Sequence, residues 1–235
     1  MQAIMEGVFD AIYLSTVIFL GLTMIRKSKD NGYFKLFGYM SVLLGLGDSF
    51  HLIPRVYALF TTGLEANATA LGFGKFITSI TMTIFYVILY EIWKLRFNVK
   101  SVKTLSISVY LLALIRIVLC FFPQNDWFNY YAPVSWGIYR NVPFTIMGIV
   151  IIYITYNKAK INNDKDYKYM ALAVLLSFAL YAPVVIWGTT YRLIGALMIP
   201  KTLAYVWIVL IGYKQFKQEF KNNENKYNQR LVTAE

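Results

Sequence analysis

Asp48, His51 and Arg55 stand in the run GDSFHLIPR, at i, i+3 and i+7, so on a helix they share one face. An acid, the chain's single histidine and a guanidinium in one row can move a proton. Asp48 orients the imidazole, His51 acts as base or nucleophile, and a neighbouring cation steadies developing negative charge. The same row has a structural reading, in which Asp48 only neutralises Arg55 or Lys201. Further along, Ser79 follows Lys75 by one turn, Arg140-Asn141 precedes Pro143, Tyr181 precedes Pro183, and Tyr205 follows Lys201 by one turn. Lysine and arginine hold carboxylates and phosphates, arginine through a planar fork. Tyrosines add hydroxyls and flat faces on which a ring or acyl chain can stack. Arg55, Lys75, Ser79, Arg140, Asn141, Tyr181, Lys201 and Tyr205 are therefore the candidate ligand-binding residues. His51 and Asp48 are the candidate catalytic pair if the protein is an enzyme.

Other chemistries lack their residues. One histidine, the lone Cys120 and scattered carboxylates supply no metal-ligand set, and no cofactor is expected. The histidine-rich signature of zinc-dependent seven-span lipid hydrolases is missing. No glycine-rich phosphate loop, nucleophile elbow or kinase motif is present. Cys120 reads as a small apolar filler.

The elements that must position these residues are membrane spans. Of 235 residues, 58% are hydrophobic and only 15% charged, and the excess lies in runs long enough to cross a bilayer, which takes about 20 residues. Seven segments qualify, at roughly 6–25, 34–58, 71–93, 103–122, 133–156, 168–188 and 193–213. The first lacks the basic start and the small-residue cleavage pattern of a signal peptide. The net charge of +11 is unevenly placed. Arg26, Lys27, Lys29 and Lys35, then Lys94 to Lys103, then Lys158 to Lys168, and finally the tail all fall on one side of the alternating connections. That is a topology signal, with the N-terminus outside and the C-terminus cytoplasmic, and a contact for lipid headgroups. No nucleic-acid surface is implied. The expectation is an all-α polytopic protein of the cell membrane, with a seven-helix domain over 1–213 and a polar cytoplasmic tail over 214–235. The tail reads as a frayed amphipathic or disordered end.

Short matches recur at an offset of about 126–128 residues. Ala11-Ile12-Tyr13 matches Gly137-Ile138-Tyr139, Ser49-Phe50 matches Ser177-Phe178, and Lys75 matches Lys201. A parallel 3+1+3 repeat is one reading of them. In layout, not motif, this resembles sugar-efflux-type carriers and microbial rhodopsins. The second resemblance makes Lys201 a candidate Schiff-base lysine, with Tyr181-Ala182-Pro183 and Trp187 loosely similar to an aromatic–proline pattern. Against it, MIPKTLAYVW holds no acid one turn before the lysine, so Asp48 would have to be the counterion.

Charged residues inside the spans concentrate in the outer halves, with Pro54, Pro143, Pro183 and Pro200 at the same level. Each proline frees a carbonyl four residues earlier, among them that of Phe50. Ser41, Gly45 and Ser49, spaced by four, read as a helix-packing seam. A central Asp, Lys or Arg costs roughly 2.5–3.5 kcal/mol, so such residues normally face a bundle interior or a wet cavity. Arg116, near the end of its span, reads instead as reaching the rim, as do Arg55 and Lys75. One outward-open basic cavity follows, lined by Arg55, Lys75, Arg116, Arg140, Arg192 and Lys201 against Asp48 inside and Glu65 and Asp126 in the outer loops. The expected function is binding or transport of an anionic or zwitterionic small molecule or lipid headgroup. The alternatives are an enzyme acting on an outer-leaflet lipid, a Schiff-base protein, and a non-catalytic subunit whose polar cluster only fixes packing.

Overall fold

The computed structural model describes residues 2–28, 31–100, 102–188 and 191–232, apart from the side chains of Arg192 and of 223–232. Seven α-helices run through them: α1 Gln2–Lys27, α2 Gly32–Phe60, α3 Ala68–Arg96, α4 Lys103–Cys120, α5 Val134–Ile161, α6 Lys165–Trp187 and α7 Met198–Val232. Short 3-10 turns at Pro123–Asn125 and Arg192–Leu197 interrupt the connections before α5 and α7. No strand occurs among the described residues. All seven helices are long and apolar enough to cross a membrane, the last counted from Leu193 to Asn222. The chain has the make-up of a multi-pass membrane protein.

Two helix starts are set by side chains that accept an orphan backbone N–H: Asn31 from Tyr33 at 3.1 Å and Asp164 from Tyr167 at 3.2 Å. Successive helices are neighbours, α7 closes the ring on α1 and α2, and α3 also meets α5 across it. The core is built of large side chains from every helix, with Phe37, Met40, Phe85, Tyr86, Met147, Ile151 and Ile208 fully buried. The outward faces are apolar too, as at Ile12, Phe19, Ile53, Ile149 and Leu203. In water such a surface drives association; against lipid it is the solvated face.

Close backbone approach fixes α1 on α2 and α2 on α3. Ser41 Oγ donates to the Val17 carbonyl at 2.6 Å, and a Cβ on Gly45 would lie 2.6 Å from Ile18. The expected seam is thus real at Ser41 and Gly45. Ser49 does not join it, because its hydroxyl donates to Leu46 of its own helix at 2.6 Å. On the other side, the carbonyl freed by Pro54 faces Gly74 of α3, where a Cβ would lie 2.2 Å from Phe50 O. The freed acceptor is therefore packed against a bare Cα, a contact of the weak C–H···O type. Pro200 behaves differently from expectation. It falls in the first turn of α7, where a missing N–H breaks no intrahelical bond. Pro54, Pro143 and Pro183 do lie inside their helices. The tail backbone continues α7 as helix to Val232, and the side chains of Lys226 and Arg230 lie outside the described residues.

Candidate functional site

The N-terminus and the α2–α3, α4–α5 and α6–α7 connections lie at one end of the ring, the upper end. Its charged side chains form two groups joined by tyrosines. On α1, Glu6, Asp10 and Tyr13 recur at helical spacing and turn inward. Glu6 takes Arg55 of α2, with Nε at 2.8 Å and Nη2 at 3.3 Å. Tyr13, 3% exposed, donates to Asp48 Oδ2 at 2.7 Å. Lys201 sits in the first turn of α7 and is 8% exposed. Its ammonium lies over two rings, 4.7 Å from the centre of Tyr181 and 5.1 Å from that of Tyr205. Cations favour such faces when desolvated. No carboxylate among the described residues comes within 4.0 Å of it, and Asp48 is the charge that it faces at longer range.

The second group stands on α4 and α5. Arg116 is only 2% exposed. The rim position expected for it is not what the fold produces. α4 ends at Cys120, and the turn Pro123–Asn125 folds the connection back over the helix end, so the rim is already covered. The guanidinium carbon lies 3.3 Å from the centre of the Phe144 ring. Nη2 makes one long bond to Asn141 Oδ1, at 3.4 Å, while Nε and Nη1 are buried without any partner. Asn141 also donates to Gly137 O at 2.8 Å and approaches the Tyr181 hydroxyl at 3.5 Å. Tyr181 thus touches both groups. Arg140 is held from outside: Nη1 donates to Asn125 Oδ1 at 2.9 Å, and its guanidinium stacks over Trp127 at 4.2 Å. Asn125, fully buried, spends its amide on the carbonyls of Leu119 and Phe122 at 2.7 and 2.8 Å.

The other expected residues are placed less centrally. Arg55 is tied to Glu6 and, with Lys75, reaches solvent. Ser79 donates to the Lys75 carbonyl of its own helix at 2.8 Å, which leaves its hydroxyl only as an acceptor. His51 makes no hydrogen bond to Asp48, whose partner is Tyr13, and His51 Nδ1 is buried with no partner. The side chain of Arg192 lies outside the described residues. The matched positions of the suggested repeat sit in unlike settings: Tyr13 is buried and Tyr139 55% exposed.

Sequence reasoning did not include Glu6, Asp10 and Asn125 in the site. The α1 acids were visible as an i, i+4, i+7 row with Tyr13. Asn125 left no signal, since a loop asparagine has no periodicity. With α1 and the connections counted, the upper end holds Glu6, Asp10, Asp48, Glu65 and Asp126 against Arg55, Lys75, Arg116, Arg140 and Lys201, so the described charges there balance in number. An open hollow of about 620 Å³ lies at the opposite end, between Arg96–Asn98 and Asn162–Asp166. Another, about 320 Å³, is an apolar notch at Val118 and Phe121–Pro123. Neither is lined by the charged cluster, beside which the Tyr86, Phe144 and Phe178 rings pack on one another. Among the described residues no three His, Cys, Asp or Glu side chains assemble as a metal-ligand group.

The chain matches no family model, no curated protein and no solved structure. Its chemistry is therefore argued from its own side chains. Those at the upper end offer a buried guanidinium with free N–H groups, an amide that approaches the Tyr181 hydroxyl, and a lysine over the Tyr181 ring with no carboxylate in contact.

Proposed function

We propose that this is a cell-membrane protein, N-terminus outside and C-terminus cytoplasmic, that binds or transports an anionic or zwitterionic small molecule or lipid headgroup at the upper end of its helix ring. The observation that carries the reading is Arg116, 2% exposed, stacked on Phe144, with two nitrogens unpartnered. A buried guanidinium left this way loses about 1–3 kcal/mol for each unmade bond, beyond the cost of the charge itself. An oxyanion offsets both losses, with Asn141, Tyr181 and Lys201 as further donors. The skewed loop charges support the orientation.

Binding measured on the purified full chain in detergent tests this reading, with methyl phosphate and acetate as probes. Arg116→Lys, Arg140→Ala and Lys201→Ala should each weaken binding about tenfold or more. Unchanged affinity in all three removes the anion reading. A second reading, turnover of an outer-leaflet lipid, is supported by the partnerless Nδ1 of His51, a nitrogen that no protein group occupies. His51→Gln should then abolish hydrolysis of a phospholipid probe and spare its binding.

A further inference from the structure

Charges at the upper end are equal in number but not evenly placed. The acids inside its spans stand on α1 and α2. Glu6 is taken by Arg55 at 2.8 Å, Asp10 faces Arg55 and the other two acids, and Asp48 is held by Tyr13 at 2.7 Å. Glu65 and Asp126 lie exposed in connections, and Asp126 holds Asn129 at 3.0 Å. Arg116, Arg140 and Lys201 stand on α4, α5 and α7. α4 and α5 carry no acid at all, and α7 none before Glu219. None of the three cations pairs with a carboxylate among the described residues.

All three are neighbours of one residue, Tyr181. Arg116 reaches it through Asn141, whose Oδ1 accepts from Nη2 at 3.4 Å and whose amide nitrogen is 3.5 Å from the Tyr181 hydroxyl. The Lys201 ammonium lies 4.7 Å from the centre of the Tyr181 ring. Arg140, next to Asn141 in the chain, stands in the field of the same tyrosine. Arg116 and Arg140 also share Cys120 as a neighbour and feel each other's charge. Arg116 and Lys201 share a second ring, that of Tyr205. Like charges so gathered repel.

Asp48 answers one of the three, Lys201, at longer range. Arg140 has a neutral amide, Asn125, and the Trp127 ring, and neither contact supplies negative charge. Arg116 keeps two bare nitrogens. Two guanidinium charges are therefore left, and a monoanion answers one of them. A phosphate monoester carries about two charges and three acceptor oxygens on a single compact group, which suits cations gathered round one side chain. A dicarboxylate spreads the same charge over two separated planar groups.

We infer that the ligand of this cluster is a phosphate monoester in its dianionic form, its oxygens towards Arg116 and its second charge answered by Arg140; this deepens the anion-binding reading above and rests on it. The chemistry is common to a free organic phosphate and to phosphatidic acid, a lipid whose head is a bare monoester.

Affinity and thermal shift of the full chain in detergent, at about pH 8 where a monoester is doubly charged, test this with matched probes. Methyl phosphate is compared with dimethyl phosphate, a tetrahedral group with one charge, and with succinate, which has two charges on separate carboxylates. Short-chain phosphatidic acid is compared with short-chain phosphatidylglycerol. At least one monoester should bind about tenfold or more tighter than its diester and than succinate. Arg140→Gln should bring monoester and diester to equal affinity, and Arg140→Lys, which keeps the charge, should retain the excess. Binding of methyl phosphate identifies a free organic phosphate, and binding of phosphatidic acid alone identifies a headgroup; either outcome supports the inference. It is overturned if diesters or succinate bind as tightly as every monoester, if Arg140→Gln leaves the excess intact, or if Arg140→Lys loses it as fully as Arg140→Gln does, and the anion reading then stands. If no probe binds in an Arg116-dependent manner, with Arg116→Lys as the conservative variant and Asn141→Ala as the second, both readings fall.

Discussion

Arg116 and Lys201 are both buried cations without a carboxylate in contact, yet their settings predict opposite responses to mutation. Arg116 gains a ring face and one long bond to Asn141, little return for a desolvated guanidinium. An apolar side chain of similar length should therefore suit the ligand-free fold better. Arg116→Met is expected to raise the melting temperature of the ligand-free protein, by about 1–3 kcal/mol in stability, while it abolishes anion binding. A fall in stability would mean that the guanidinium is a structural brace. Lys201 has two tyrosines and the field of Asp48. Asp48→Asn keeps an acceptor for the Tyr13 hydroxyl but removes the charge that Lys201 faces. It should destabilise the protein by about 1–3 kcal/mol, read by thermal melting, and the loss should largely vanish when Lys201→Met is added. Equal losses in the presence and absence of Lys201→Met would show that the two charges are not coupled.

Helix contacts depend on where the backbone is bare. α2 and α3 meet where the carbonyl freed by Pro54 faces Gly74, leaving no room for a methyl group at 2.2 Å from Phe50 O. Gly74→Ala must push the two helices apart or shift them along each other, at a cost of about 1–3 kcal/mol. That movement also displaces His51, whose Cα is 2.6 Å from the same Cβ position. Gly32, at the start of α2, meets nothing within 4 Å, so Gly32→Ala should be neutral or stabilise by about 0.5–1 kcal/mol. Parallel melting curves of the two variants check the pair. Similar melting temperatures would show that the α2–α3 contact yields easily. At the opposite end, Lys214 with Asp166 is an exposed pair on α7 and α6, the kind that contributes little.

The ring as a whole has a membrane orientation to be tested, and the lone buried Cys120 makes the test clean. Thiol labelling of intact cells with a membrane-impermeant reagent should mark Thr62→Cys, in the α2–α3 connection, and spare Asn163→Cys, in the α5–α6 connection. The reverse pattern would overturn the charge-based orientation and place the Arg116 cluster on the cytoplasmic side. The 620 Å³ hollow between Arg96–Asn98 and Asn162–Asp166 would then face outward. Whichever side it occupies, the cluster lies under a connection that Asn125 and Trp127 hold against the end of α4.

The number of spans and their approximate places along the chain followed from sequence alone. An apolar run of crossing length needs no partner to be recognised, and a charge within it can be placed by counting from the ends. The tertiary structure decided which side chains meet. Arg55 goes to Glu6 and not to Asp48, Asp48 goes to Tyr13 and not to His51, Ser79 turns back on its own helix, and Arg116 is enclosed where a rim position was expected. These depend on the rotation of each helix about its axis. In a soluble bundle the polar stripe reports that rotation. Here lipid and core are equally apolar, so the pattern that would reveal the inward face is largely erased, and close contacts such as those at Ser41, Gly45 and Gly74 turn α1, α2 and α3 to their places.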